Sequence, residues 1–158
     1  MLSIALALQL TTAATVPTVL VFTTTDCPIS NRYAPEIQRL AAKFDGQAKF
    51  VLVYPVPTDS MALILEHHKK FGYSLESVRD ASLVKKTGVT VTPEVAVMAG
   101  DRVVYRGRID DRYVELGRER PKPTTHDLED ALTAAVAGRS VAIKETRAVG
   151  CILSDLIK

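Results

Sequence analysis

Hydrophobic positions along this chain switch repeatedly between unbroken runs and a three-to-four residue period. Residues 18 to 23, TVLVFT, form a short β-branched run, the pattern of a strand buried on both faces. After it Ile29, Tyr33, Ile37, Leu40, Ala41 and Phe44 recur at helical spacing, which predicts one amphipathic helix ending near Asp45-Gly46. AKFVLVYPV then predicts a second core strand, stopped by Pro55 and Pro57. Asp59 or Ser60 can cap a following helix that carries Met61, Ile64, Leu65, His68 and Phe71 inward and ends at Gly72. A small helix is expected near Ala81 to Lys86, closed by Gly88. Two antiparallel strands, Glu94 to Met98 and Arg102 to Arg106, are expected around a turn at Ala99-Gly100-Asp101. Thr125 can cap a last helix with Leu128, Leu132 and Val136 as its stripe and Asp127, Glu129 and Asp130 at its positive end. Residues 141 to 158 have no clear period and form a tail that carries Cys151.

The N-terminus, MLSIALALQLTTAATVP, supports two readings. Its apolar stretch followed by Thr and Ala resembles a secretory signal cleaved near Ala14. The alternation of Ile4, Leu6, Leu8 and Leu10 with small or polar residues suits an extra strand within residues 1 to 14. The apolar stretch is too short to span a membrane. The first reading predicts a periplasmic or secreted protein, the second a cytoplasmic one.

Composition narrows the function classes. A length of 158 residues, 47% of them hydrophobic, suits one domain with a sizeable core. A net charge of +2 and 6% aromatic residues leave neither a basic footprint nor stacking platforms for nucleic acid. The two cysteines lie far apart in sequence and make no CxxC pair, so they do not spell a zinc site.

Candidate chemistry therefore centres on TTDCPISNRYAP, residues 24 to 35. Cys27 falls at a strand-to-helix junction, where free backbone N–H groups favour an anion. Thiolates are the reactive form of cysteine, and helix N-termini lower thiol pKa values. Pro28 suits a first helical turn. From this local pattern alone Cys27 is equally a nucleophile or a small buried hydrophobe.

Three further features resemble the thioredoxin-like superfamily. In CPIS, Cys27 takes the nucleophile position and Ser30 stands where a redox CxxC would have its second cysteine; Pro35 matches a helix-kinking proline, and Thr92-Pro93 matches a cis-proline loop facing the cysteine. DCPISNRYAPE, TPE and YRGRIDDRY followed by HDL and AL are similar to the redoxin group, the peroxiredoxin-like and thiol-specific antioxidant branch, over nearly the whole chain from about residue 18. The resemblance implies an α/β domain over residues 15 to 140, with a central mixed β-sheet flanked by helices. It also implies a thiol-dependent oxidoreductase that needs no cofactor and meets a disulfide-bearing protein, a thiol reductant or a peroxide. Thr24 fits the peroxiredoxin pattern three residues before the cysteine, while Leu20 replaces its proline seven before. With Ser30 in the motif, any intramolecular disulfide must use Cys151, so either Cys151 is the resolving cysteine, or Cys27 works alone with a small thiol or partner protein and Cys151 is a packed tail residue.

Remaining candidates have blander explanations beside them. Adjacent His67 and His68 diverge on a helix, which favours structural roles over a shared ion. His126 reads as a surface or capping residue; with Cys27 it would form a copper site in the non-enzymatic alternative, a metal-binding or partner-docking domain. Residues 105 to 123 concentrate Arg106, Arg108, Arg112, Arg118 and Arg120 among acidic partners, as expected of a solvated loop laced with ion pairs. The sharper expectation is that Arg108 reaches the active site and stabilises an anion there.

Overall fold

The computed structural model describes residues 15–157, so the expectations for residues 1 to 14 lie outside the described residues. Its centre is β1 (Thr18–Phe22), the apolar run read above. β1 pairs in parallel with β2 (Lys49–Val53) and antiparallel with β5 (Glu94–Ala99). β3 (Glu76–Val78) extends the sheet beyond β2 and β6 (Arg102–Gly107) beyond β5, giving the order β3-β2-β1-β5-β6. The central mixed sheet is therefore observed. The β5–β6 connection turns through Gly100 in the left-handed region, a conformation glycine adopts without steric cost.

Strand alternation divides the core in two. Val19, Val21, Leu52, Val95 and Val97 face a cluster with Tyr33, Ile37, Leu40, Phe44, Ile64, Leu128 and Leu132. Leu20, Phe22, Val51, Val53, Ala96 and Met98 face the other way, onto Val89 and Leu153. The first face is covered by α2 (Ala34–Lys43), α3 (Met61–Phe71) and α5 (Asp127–Val136). The second is covered by α4 (Ser82–Thr87) and by the end of the chain. Among the described residues no helix is long and apolar enough to cross a membrane.

Several expectations are corrected. The first helix is two: α1 (Pro28–Arg32) ends at Tyr33, and α2 begins at Ala34 with Pro35 in its first turn. A proline there lacks an N–H that has no helical partner anyway, so a new helix start accommodates it better than a helix interior. Of the two expected caps for α3, Ser60 holds the position and accepts from Leu63 N–H at 3.2 Å, as expected. Ile64 and His67 face inward on α3, whereas Met61 and Leu65 are exposed. Thr125 does not cap α5: His126 holds that position without a side-chain cap, and Thr125 Oγ1 donates to the Asp127 carboxylate at 2.7 Å.

The arginine-rich loop is laced with ion pairs, including Arg120 with Asp111 and Arg32 with Glu119. It also folds into an unforeseen hairpin of β7 (Tyr113–Glu115) and β8 (Arg118–Glu119). The aperiodic tail is ordered as well: β9 (Cys151–Ile152) pairs antiparallel with β4 (Val91–Thr92), and α6 (Leu153–Leu156) follows.

Candidate active site

The chain leaves β1, runs through Thr23 to Asp26, and places Cys27 as the N-cap residue of α1. Pro28 follows in the first helical turn, and Asn31 N–H closes that turn onto the Cys27 carbonyl at 3.0 Å. Across from it lies the Thr92-Pro93 loop, whose peptide bond is cis. Glu94 shapes this loop: its buried carboxylate accepts from Thr90 N–H at 2.7 Å and Val91 N–H at 3.3 Å. β4 then carries its edge to β9, with Thr92 directly opposite Cys151. Strand pairing between residues far apart in sequence thus delivers the second cysteine to the first.

The two sulfurs stand 3.1 Å apart as free thiols. Cys27 is 2% exposed and its S–H donates to Thr92 O at 3.3 Å. Burial pushes the Cys27 thiol up, but stabilisation of its anion by the nearby Ser30 hydroxyl and amide, Cys151 and the Thr92 side chain outweighs it, and the thiol lies below its ordinary value. Ser30 Oγ and Thr92 Oγ1 are both buried and have no hydrogen-bond partner beside the neutral thiol. Each is a buried, unpaired hydroxyl near the Cys27 sulfur, and a donor so placed favours the anionic form over the neutral thiol. Because α1 has five residues, these local donors, rather than a long helix dipole, carry the depression. Cys151 moves the opposite way: burial, the hydrogen bond to Cys27 and the Cys27 charge push it up to about 11.

Behind Cys27 runs a buried polar chain that sequence reasoning missed. Asp59 Oδ1 accepts from the Thr25 amide at 3.3 Å and its hydroxyl at 2.5 Å. Asn31 Nδ2 donates to Thr25 O at 3.2 Å, and Asn31 Oδ1 faces His67 Nε2 at 2.7 Å. Since the amide oxygen accepts, His67 carries its proton on Nε2, and Nδ1 accepts from Tyr54 Oη at 2.8 Å. This chain clamps both ends of the segment 25 to 31 that presents Cys27. Asn31 sits four residues after Cys27 in sequence; nothing local marked its partners.

The other candidates make polar contacts with groups other than the Cys27 sulfur. Thr24 is buried, with its carbonyl accepting from Thr23 Oγ1 at 3.5 Å. The Arg108 guanidinium is committed to Asp127, with Nε 2.9 Å from Oδ2, and its other end donates to Thr125 Oγ1 at 3.3 Å. His126 is exposed; among the described residues its ring groups with Glu36 and Glu129 rather than with Cys27. Arg39 pairs with both of those carboxylates, and Lys43 with Glu129.

No family model and no curated protein matches the sequence. Among solved structures, an uncharacterized conserved protein from Geobacillus kaustophilus shares 26% identity at a TM-score of 0.75, covering 88% of this chain and 77% of its own. A thioredoxin-like protein solved in its oxidized form aligns at a TM-score of 0.56 and 15% identity over 79% of this chain and 80% of that one. The fold is thioredoxin-like. MTB DsbF, solved in mixed oxidized and reduced forms, also aligns with this thioredoxin-like chain, at a TM-score of 0.54 and 22% identity over 75% of this chain and 80% of DsbF.

Proposed function

We propose that this thioredoxin-like chain is a thiol-disulfide oxidoreductase in which Cys27 is the nucleophile and Cys151 the resolving thiol. The observation that carries the reading is the 3.1 Å approach of an acidified, buried Cys27 sulfur to a basic, less buried Cys151 sulfur. A low-pKa thiol supplies the thiolate that attacks and the better leaving group afterwards.

The Cys27 thiolate attacks one sulfur of a substrate disulfide, forms a mixed disulfide and expels the other substrate sulfur as a thiolate. Neutralising Cys27 in that bond removes two of the three influences that raise Cys151, its hydrogen bond and its charge. Cys151 then loses its proton, attacks the Cys27 sulfur and forms the Cys27–Cys151 disulfide, and the second substrate thiolate leaves. The substrate gains two electrons and the protein loses two; an external dithiol reverses the change, and a more oxidising partner runs the cycle backwards. In an oxidising compartment the pair rests as the disulfide, in a reducing one as thiols.

Disulfide exchange is favoured over peroxide reduction by the kind of group around Cys27. Its anion is supported by hydroxyls and an amide, while Arg108, the expected anion-stabilising cation, is paired with Asp127. The redoxin-like motifs and Thr24 support the peroxidase reading; Leu20, buried in β1, stands where that pattern has proline. Stopped-flow reaction of reduced protein with oxidised glutathione and with hydrogen peroxide separates the two. Rapid formation of an intramolecular disulfide with glutathione, absent in Cys27→Ser, supports exchange. Peroxide consumption several orders of magnitude faster than by a free thiol, with slow glutathione reaction, would replace it with the peroxidase reading.

A further inference from the structure

The end of the sheet away from Cys27 carries a cavity of about 330 Å³ that the thiol chemistry does not use. Cys27 follows the C-terminal end of β1, whereas Thr15, which lines this cavity, precedes its N-terminal end. The five-residue strand keeps the two sites roughly 16 Å or more apart. The cavity forms where α5 meets the edge strand β6. α5 ends at Val136, Gly138 in the left-handed region turns the chain, and Val141 buries in the first core cluster. Val104, Ala135 and Val141, all packed in that cluster, give the cavity an apolar floor. Its rim is cationic: Arg102, Arg139 and Lys144 line it, and no acidic side chain does. Among the described residues none of these three makes an ion pair. Asp101, next in sequence to Arg102, lies 3.3 Å from Lys86 instead, and residues 1 to 14 hold no acidic side chain. Even the negative end of α5 is muted, because Ala134 O and Ala135 O already accept from Arg139 and Gly138 N–H at 2.9 and 3.1 Å.

We propose that this cavity is a binding site for an organic phosphate monoester, its phosphoryl group held by Arg102, Arg139 and Lys144 and its apolar body resting on Val104, Ala135 and Val141. Cations that face one cavity without a carboxylate leave a positive potential that an anion neutralises. A phosphate monoester carries roughly two negative charges near neutral pH, with three acceptor oxygens. A carboxylate brings one charge and leaves most of the rim uncompensated. Guanidinium groups also match phosphate oxygens in bidentate geometry. The cavity lies at the lower end of the size range of small-ligand sites, which suits one phosphate and one small ring and is too short a track for a nucleic-acid strand.

The test follows backbone amide chemical shifts of the isotope-labelled full-length protein as phenyl phosphate is added. Saturable shifts at Val104 and Ala135 are expected, with inorganic phosphate binding at least about tenfold more weakly because it leaves the apolar floor uncovered. Arg102→Gln and Arg139→Gln, both at exposed positions, should each weaken phenyl phosphate about tenfold, the scale of one hydrogen bond to a charged group. Lys69→Gln, an exposed cation on α3, should bind as wild type. Vesicles of phosphatidic acid, set against phosphatidylcholine, separate the sources of the phosphate. Sedimentation with phosphatidic acid that both arginine variants lose would place the phosphate on a lipid headgroup; shifts with phenyl phosphate and no sedimentation would place it on a soluble ligand. Benzoate binding as tightly as phenyl phosphate, equal weakening in Lys69→Gln, or neither saturable shifts nor sedimentation would overturn the site.

Discussion

The two ends of the sulfur pair are built to different standards. Cys27 stands on α1, directly after the central strand β1, and its segment is clamped from behind by Asp59, Thr25, Asn31, His67 and Tyr54. Cys151 stands on a strand of two residues, held to β4 by backbone pairing and to the core by Leu153. The Cys27 side carries the hydroxyls that lower its thiol below the ordinary value; the Cys151 side carries the thiol whose pKa is pushed up to about 11. The polar clamp lies behind Cys27, while Cys151 has only a short backbone pairing and one buried anchor. Segments with few buried contacts open locally at small cost while the core stays folded.

Removing each sulfur in turn gives the largest expected effect. Cys27→Ser should abolish disulfide exchange, lowering the rate by at least about a thousandfold, because the alcohol is not an attacking anion near neutral pH. Cys151→Ser should leave the first attack nearly unchanged and trap the mixed disulfide on Cys27, read by mass spectrometry of the quenched reaction. Equal loss in both variants would mean that the two cysteines act as one unit and the contrast between them is false.

Side-chain truncation compares the two ends in stability. Ile37→Ala on α2, in the first core cluster, should cost about 2–5 kcal/mol in denaturant unfolding, the usual range for a buried aliphatic cavity. Leu153→Ala should cost the global transition less, and chiefly raise hydrogen exchange at the Leu153 amide, which bonds to Thr90 O. A full core-sized loss from Leu153→Ala would make the tail an integral part of the fold.

How much of this was legible in the sequence follows the same divide. β1, β2 and the β5–β6 hairpin could be read because continuous apolar runs and a glycine turn are local signals. Cys27 could be placed at a helix start for the same reason. The break between α1 and α2 could not, since Pro35 suits a kinked helix and a fresh helix start alike. Leu65 was expected inward and His67 was not, because helical spacing counts apolar residues. The burial of His67 depends on Tyr54 and Asn31, which satisfy both ring nitrogens from elsewhere in the fold. Cys151 was legible as a chemical candidate but not as a position: a two-residue strand has no period, and its register against Thr92 is a long-range pairing. The buried hydroxyls of Ser30 and Thr92 were hidden likewise, because a donor without a partner is visible only in three dimensions.

Those hydroxyls give a finer test of the rigid side. Ser30→Ala or Thr92→Val removes one donor to the thiolate while keeping the fold's shape, so the midpoint of the iodoacetamide rate-versus-pH profile should move up. At neutral pH alkylation should slow roughly tenfold per donor, the effect of one hydrogen bond to a charged group. An unmoved midpoint in both variants would return the depression to the Ser30 amide and the helix start.

The smallest effect lies furthest from the sulfur, in the clamp. Burial first, and the neighbouring His68 charge second, hold His67 below its ordinary value of 6.5. A histidine depressed in the folded state binds fewer protons than in the unfolded chain at intermediate pH, so stability rises with pH through that window. The contribution is therefore complete above 6.5 and is lost as the pH falls through the folded-state value. His67→Gln keeps a polar side chain beside Asn31 and Tyr54 but cannot take up that proton, so its unfolding free energy should fall less steeply than wild type on acidification below pH 6.5. His68 is also depressed by burial and keeps its own share of the slope in the variant. Parallel pH profiles for the two proteins would show that His67 already titrates as it does in water, and that the clamp behind Cys27 is looser than its hydrogen bonds imply.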